Sequence, residues 1–171
     1  VVSDLADELV HQIVQGRLDA AVITQPQDLD GQLLSRPLLS EPLMVIAPRE
    51  FAGQSDAELL TGNPYIGFNR KAEVSRLIEQ ALNQRNIKVD PIMELDTMET
   101  FQMMVLHGLG VGILPISSIR ERFFDDLYVV PFGSPALQRT ISLVQQREHH
   151  RQIFLDTLYD ALSRVAANSR L

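Results

Sequence analysis

At 171 residues, with 45% hydrophobic and 22% charged side chains, the chain is long enough to bury a core as one domain or as two small lobes. Its formal charge of −7 repels a phosphate backbone, which argues against nucleic-acid binding by this stretch alone. Cysteine is absent, which removes disulfide and thiolate chemistry and agrees with a cytoplasmic setting, and no apolar run reaches the ~18–20 residues of a membrane span.

The chain starts Val1-Val2-Ser3-Asp4, with neither a basic leader nor an initiator methionine, and is expected to be a fragment or a processed product. Ser3-Asp4 are expected to cap a helix with Leu5, Leu9 and Ile13 on one face and Gly16 as its stop. Residues 18–24 (LDAAVIT) read as a buried parallel strand, and residues 25–31 as a polar loop. The apolar run 43–47, bounded by Pro42 and Pro48, is a further strand. Ser55 and Glu58 have capping-box spacing. Residues 65–68 are a strand, and Val74, Leu77, Ile78, Ala81 and Leu82 mark an amphipathic helix.

Residues 92–95 follow as a strand, Asp96 and Glu99 as a second capping box, and Phe101, Met104 and Val105 as the buried side of the next helix. Residues 111–114 form a strand closed by Pro115, and residues 116–124 a short helix. Strands at 127–132 and 140–144 precede a final helix with an apolar stripe of Phe154, Leu158, Leu162 and Val165. Strands alternating with helices at this spacing imply an α/β fold with mainly parallel sheets. Two lobes would be joined by crossing strands, with residues 43–47 and 127–132 as the candidates.

Gly108-x-Gly110-x-Gly112 invites a nucleotide-binding reading, but a phosphate cradle runs strand, glycines, helix, and here a helix precedes the glycines and a strand follows them. Gly108 reads instead as a helix-ending residue, and Gly110 and Gly112 as close-packing positions. Thr97 sits between a strand and a helix start. It is either a cap, in competition with Asp96, or a hydroxyl beside free helix amides that holds an anion. Phe68-Asn69-Arg70-Lys71 follows a strand end, where ligands bind in open α/β sheets, and an arginine there can pair with a carboxylate; a solvated loop is the other reading. Thr24 occupies the same kind of strand end, or simply terminates it.

His11 and His107 lie within helices. His149-His150, in an extended turn, would point in opposite directions and chelate poorly, so no metal is expected. Glu94 and Asp96 share a strand face, but no nucleophile–base pair accompanies them, and no enzymatic role or cofactor is expected.

Three segments then resemble the LysR-type transcriptional regulators: residues 16–24 (GRLDAAVIT), 41–48 (EPLMVIAP) and 94–115 (ELDTMETFQMMVLHGLGVGILP). The resemblance implies an effector-binding domain with two Rossmann-like lobes joined by two crossing strands, as in type 2 periplasmic binding proteins. Lobe I would be 1–44 plus 130–171, and lobe II 45–129. It implies a small-molecule effector, an organic anion, bound between the lobes by Thr24, Phe68, Asn69, Arg70, Thr97 and Pro115. It also implies a homodimer through the helices near 5–14 and 74–82, a homo-oligomer in the full-length regulator, and no membrane partner. The family's DNA-binding domain and the first strand and helix of lobe I have no counterpart here, so DNA contact is expected only through that missing domain and lobe I is expected to be incomplete. A transport solute-binding protein and an enzyme on the same fold are the alternatives.

Overall fold

The computed structural model describes residues 1–26 and 28–168. The chain divides into two compact units, Val1–Ser40 with Arg139–Leu171, and Glu41–Gln138.

The first unit holds α1 (Ala6–Val14), β1 (Ala20–Thr24), the opening half of β2 (Leu33–Pro48), most of β7 (Gln138–Gln146) and α6 (Gln152–Asn168). Its core gathers Leu9 and Ile13 from α1, Ala21 and Ile23 from β1, Leu33 and Val144. The expected Ser3-Asp4 cap is not made. Leu5 is the N-cap residue and has no side-chain bond, while Asp4 Oδ1 accepts from the Leu5 amide at 2.8 Å, one residue too early to serve the helix. Gly16 does end α1, with φ at 69°, and the Arg17 amide returns to the Gln12 carbonyl at 2.9 Å.

β1 is not a parallel strand. It pairs antiparallel with β7, from Ala20↔Gln145 to Thr24↔Ile141, and its middle residue Val22 is 48% exposed. In α6 the fully buried residue is Leu155; Phe154 and Val165 of the expected stripe are exposed, so the apolar spacing misplaced the inward face.

The second unit carries the closing half of β2, α2 (Asp56–Gly62), β3 (Tyr65–Phe68), α3 (Glu73–Gln84), β4 (Pro91–Leu95), α4 (Met98–Leu106), β5 (Gly112–Pro115), α5 (Glu121–Phe124) and β6 (Leu127–Pro131). β3 and β4 are parallel, with Phe68 opposite Leu95, and a parallel bridge from Tyr65 to Val111 brings in the start of β5. β2 lies antiparallel to both β5 and β6. Parallel pairing is therefore the exception outside β3 and β4, because β2 runs against both of its partners in this unit. Within residues 127–132, expected to cross between lobes, Leu127–Pro131 form β6 inside the second unit, and the chain re-enters the first unit in β7.

Successive residues of a strand face opposite sides. Leu43, Val45 and Ala47 of β2 therefore join one core with Leu59, Val74, Ile78 and Leu82 from α2 and α3. Met44 and Ile46 join the other with Phe101 and Val105 from α4 and Phe123 from α5. Helices on both faces of a shared sheet give the α/β architecture. The Ser55–Glu58 capping box forms as expected.

The second box does not form. Thr97 caps α4, and Glu99 reaches instead to Arg120 at 3.2 Å and Arg122 at 2.7 Å. Gly108 ends α4 with φ at 76°, its amide on the Val105 carbonyl and the next amide on that of Met104. A Cβ on Gly112 would stand 2.3 Å from Phe101 Cζ, so only glycine lets α4 lie this close to β5. Residues 116–124, expected as one helix, split into a 3-10 turn at Ile116–Ser118 and α5.

Candidate functional site

The three strands β3, β4 and β5 end at one edge of the second unit. Phe68 and Leu95 are register partners at adjacent parallel strand ends, and the bridge to Val111 aligns β5, which ends at Pro115, beside them. Parallel strand ends are where ligands bind in such sheets, because the following helices aim their amide termini there. Asn69 and Thr97 each stand at or just beyond one of these ends.

Thr97 is held by its own helix. Its hydroxyl donates to Thr100 Oγ1 at 2.7 Å and accepts from the Thr100 amide at 3.4 Å. The first amides of α4 have no intrahelical carbonyl to bond and lie next to this hydroxyl pair. Of the two roles weighed for Thr97, the cap is the one the structure makes. Thr100 was missed, and its three-residue spacing from Thr97 was the available signal.

Asn69 is fixed by its amide on the Leu95 carbonyl at 2.9 Å, while its Oδ1 accepts from the Lys71 amide at 3.0 Å. Phe68 packs edge-on against Phe101, with ring centres 6.4 Å apart, and so joins the loop to α4. Pro115 pairs with Leu43 and is buried. The loop after it is anchored by fully buried Glu41, whose Oε2 accepts from the Ser117 amide at 2.9 Å.

Arg70 is directed elsewhere. Its guanidinium pairs with Glu94 on β4, and both line a cavity of about 220 Å³ enclosed by α3, β3 and β4. Glu94 is therefore an ion-pair partner rather than one of a pair of acid–base carboxylates. Thr24 lies in the first unit, half-buried at the end of β1 opposite Ile141.

His149 and His150 do not point apart. Their rings stack with centres 4.5 Å apart, because the chain turns there and the Arg151 amide donates to His149 Nδ1 at 3.1 Å. The His149 Nε2 faces Asp19 at 3.2 Å. Among the described residues no cluster of three metal-ligating side chains occurs, and no helix is long and apolar enough to cross a membrane.

Residues 1–167 match the family described as the LysR substrate binding domain. An uncharacterized HTH-type transcriptional regulator, YfeR of Shigella flexneri, is 24% identical over 158 residues, 90% of this chain and 51% of that protein. The chain thus spans about half the length of the curated relatives it matches. The effector binding domain of QuiR in complex with shikimate superposes with a TM-score of 0.79 at 16% identity, over 98% of this chain and 81% of that one. The CcmR regulatory domain of Synechocystis PCC6803 in complex with 2-PG gives 0.80 at 19% identity, over 96% and 81%.

Proposed function

Because the chain belongs to the LysR substrate-binding family, we propose that it senses a small organic anion at the strand-end edge of its second unit and passes that signal to a DNA-binding oligomer. The supporting observation is the convergence of three strand ends on the N-terminus of α4. A carboxylate set there would meet the hydroxyls of Thr97 and Thr100, the opening amides of α4 and the Asn69 amide group, with Phe68 and Pro115 as apolar walls. Charge-assisted bonds of this kind are about twice as strong as neutral ones. Arg70 joins this set only on leaving Glu94.

No catalytic role is proposed for the chain. Curated relatives are transcriptional regulators, and the two superposed domains hold shikimate and 2-PG. The reading places the chain in the cytoplasm as part of a homodimer, with DNA contacted by a separate domain. An effector acts by favouring one arrangement of that assembly, and it can shift the equilibrium only by its difference in affinity between arrangements.

Thermal unfolding and calorimetry with shikimate, 2-PG and succinate test the reading. A ligand at a hundred times its Kd is expected to add about 2.7 kcal/mol of stability. Thr97→Val is expected to weaken the best ligand by about tenfold, equivalent to one lost charge-assisted bond. Three flat titrations, or a Thr97→Val protein that binds unchanged, would sink it.

A further inference from the structure

A cavity of about 220 Å³ in the second unit is lined by Glu79, Asp90, Glu94 and Arg70 among its charged residues. It lies beside the strand-end edge, between α3 and the β3–β4 ladder. Its floor is apolar, with Ile78 and Leu82 from α3 and the ring of Tyr65 from β3. Tyr65 is 8% exposed, yet its hydroxyl has no hydrogen-bond partner among the described residues. That hydroxyl is also not one of the sealed, partnerless oxygens and nitrogens, which are Ser35 Oγ, Gln145 Oε1 and Ser163 Oγ. It therefore opens onto the cavity that it lines. Burial, with a further push from the charge of Glu79, raises its pKa far above the ordinary tyrosine value of 10.0, so it stays a neutral donor and acceptor.

The rim is acidic. Glu79, Asp90 and Glu94 face the cavity, with Arg70 as the opposing charge. Arg70 is committed to Glu94, whereas neither Glu79 nor Asp90 has an ion pair among the described residues. Three carboxylates against one guanidinium leave a net charge of −2 at the mouth. An accessible hydroxyl with no protein partner among the described residues is free to bond a ligand that enters the cavity. Apolar walls, an aromatic ring and unpaired carboxylates together recognise a cation with an apolar body. The volume equals that of about seven waters, which suits a molecule smaller than a typical drug.

We propose that the cavity between α3, β3 and β4 is a binding site for a small amphipathic amine, with its ammonium held by Glu79 and Asp90, its body on Ile78 and Leu82, and its N–H or a bridging water on the Tyr65 hydroxyl. This proposal does not depend on the anion reading, since the two ligands have opposite charge and the groups that would hold the amine, Glu79, Asp90 and Tyr65, lie outside the anion set, although Phe68 and Arg70 also line the cavity.

Isothermal titration with phenethylamine, 2-phenylethanol and 3-phenylpropionate tests it. These probes share a ring and a chain and differ in charge. The amine is expected to bind at least tenfold more tightly than the neutral alcohol, and the acid not at all. Glu79→Gln, an exposed change that leaves the fold intact, is expected to weaken the amine about fivefold. Tyr65→Phe is expected to weaken it while leaving thermal stability equal or higher, because the hydroxyl it removes has no partner. Equal binding of all three probes, no amine binding at millimolar concentration, or amine binding untouched by both substitutions would overturn the proposal. Thr97→Val is expected to leave amine binding unchanged, so failure of one site is distinguishable from failure of the other.

Discussion

Replacing Gln102 by alanine is expected to cost the second unit about 2–4 kcal/mol, a large share of a domain's total stability. The side chain is fully buried in α4. Its Nε2 donates to the Met98 carbonyl at 2.8 Å and the Ser118 carbonyl at 2.9 Å, and its Oε1 accepts from the Arg120 amide at 3.0 Å. After truncation the Met98 carbonyl keeps its partner in the helical ladder. Two backbone groups of the 118–120 loop lose theirs. Each orphaned group costs about 1–3 kcal/mol when buried, and the exposed position of Arg120 lets water recover part of one, which gives the stated range.

Urea unfolding is the assay: the midpoint should fall with the slope unchanged. In a chain of this size the melting temperature should drop by about 4–16 °C. Gln102→Met keeps the length and apolar bulk but none of the bonds, so it should lose nearly as much. Either a loss below about 1 kcal/mol in the alanine variant or wild-type stability in the methionine variant would refute the reasoning, since the bonds would then not be what holds the loop.

Two further outcomes are expected. Burial raises the Asp56 pKa, but the Arg85 guanidinium at 2.6 Å and the Gly133 and Ala57 amides at 2.7 and 2.9 Å outweigh it and hold the carboxyl below its ordinary value of 3.8. A depressed carboxylate stabilises fully above 3.8 and loses that contribution as the pH falls below it. Asp56→Asn should therefore cost about 2 kcal/mol at pH 7 and converge with the parent protein in acid; a gap that stays constant with pH would contradict this. Gly112→Ala drives a methyl into Phe101 and should cost about 1–3 kcal/mol, visible as a lower urea midpoint; an unchanged midpoint would show that the ring has room to move.

The parts of the fold that read correctly from sequence are those decided locally. The Ser55–Glu58 box, the stop at Gly108 and the bounds of β3 depend on residues within one turn of each other. The errors arise where a distant partner decides. Glu99 fits a capping box until Arg120 and Arg122, more than twenty positions away, offer it charge. β1 reads as a parallel strand because its partner β7 lies over a hundred residues further on. In α6 the stripe through Phe154 and the one through Leu155 differ by a single residue, and only packing chooses between them.

The site divides in the same way. The strand-end positions of Thr97, Asn69 and Pro115 were legible because a strand end followed by a turn or helix has a sequence signature. The direction of Arg70 was not, because Glu94 lies on a neighbouring strand and the cavity they share is a product of tertiary packing.

If the proposed anion binds at the head of α4, the pairing of two threonine hydroxyls there would have a selective effect. Thr97 donates its proton to Thr100, so a newcomer drawing on Thr97 would exchange one bond for another, while the Thr100 proton stays free to donate. A neutral carbonyl swaps one ordinary bond for another and gains little. A charged oxygen would gain the difference, so on the proposed reading this geometry would disfavour uncharged look-alikes before any shape discrimination.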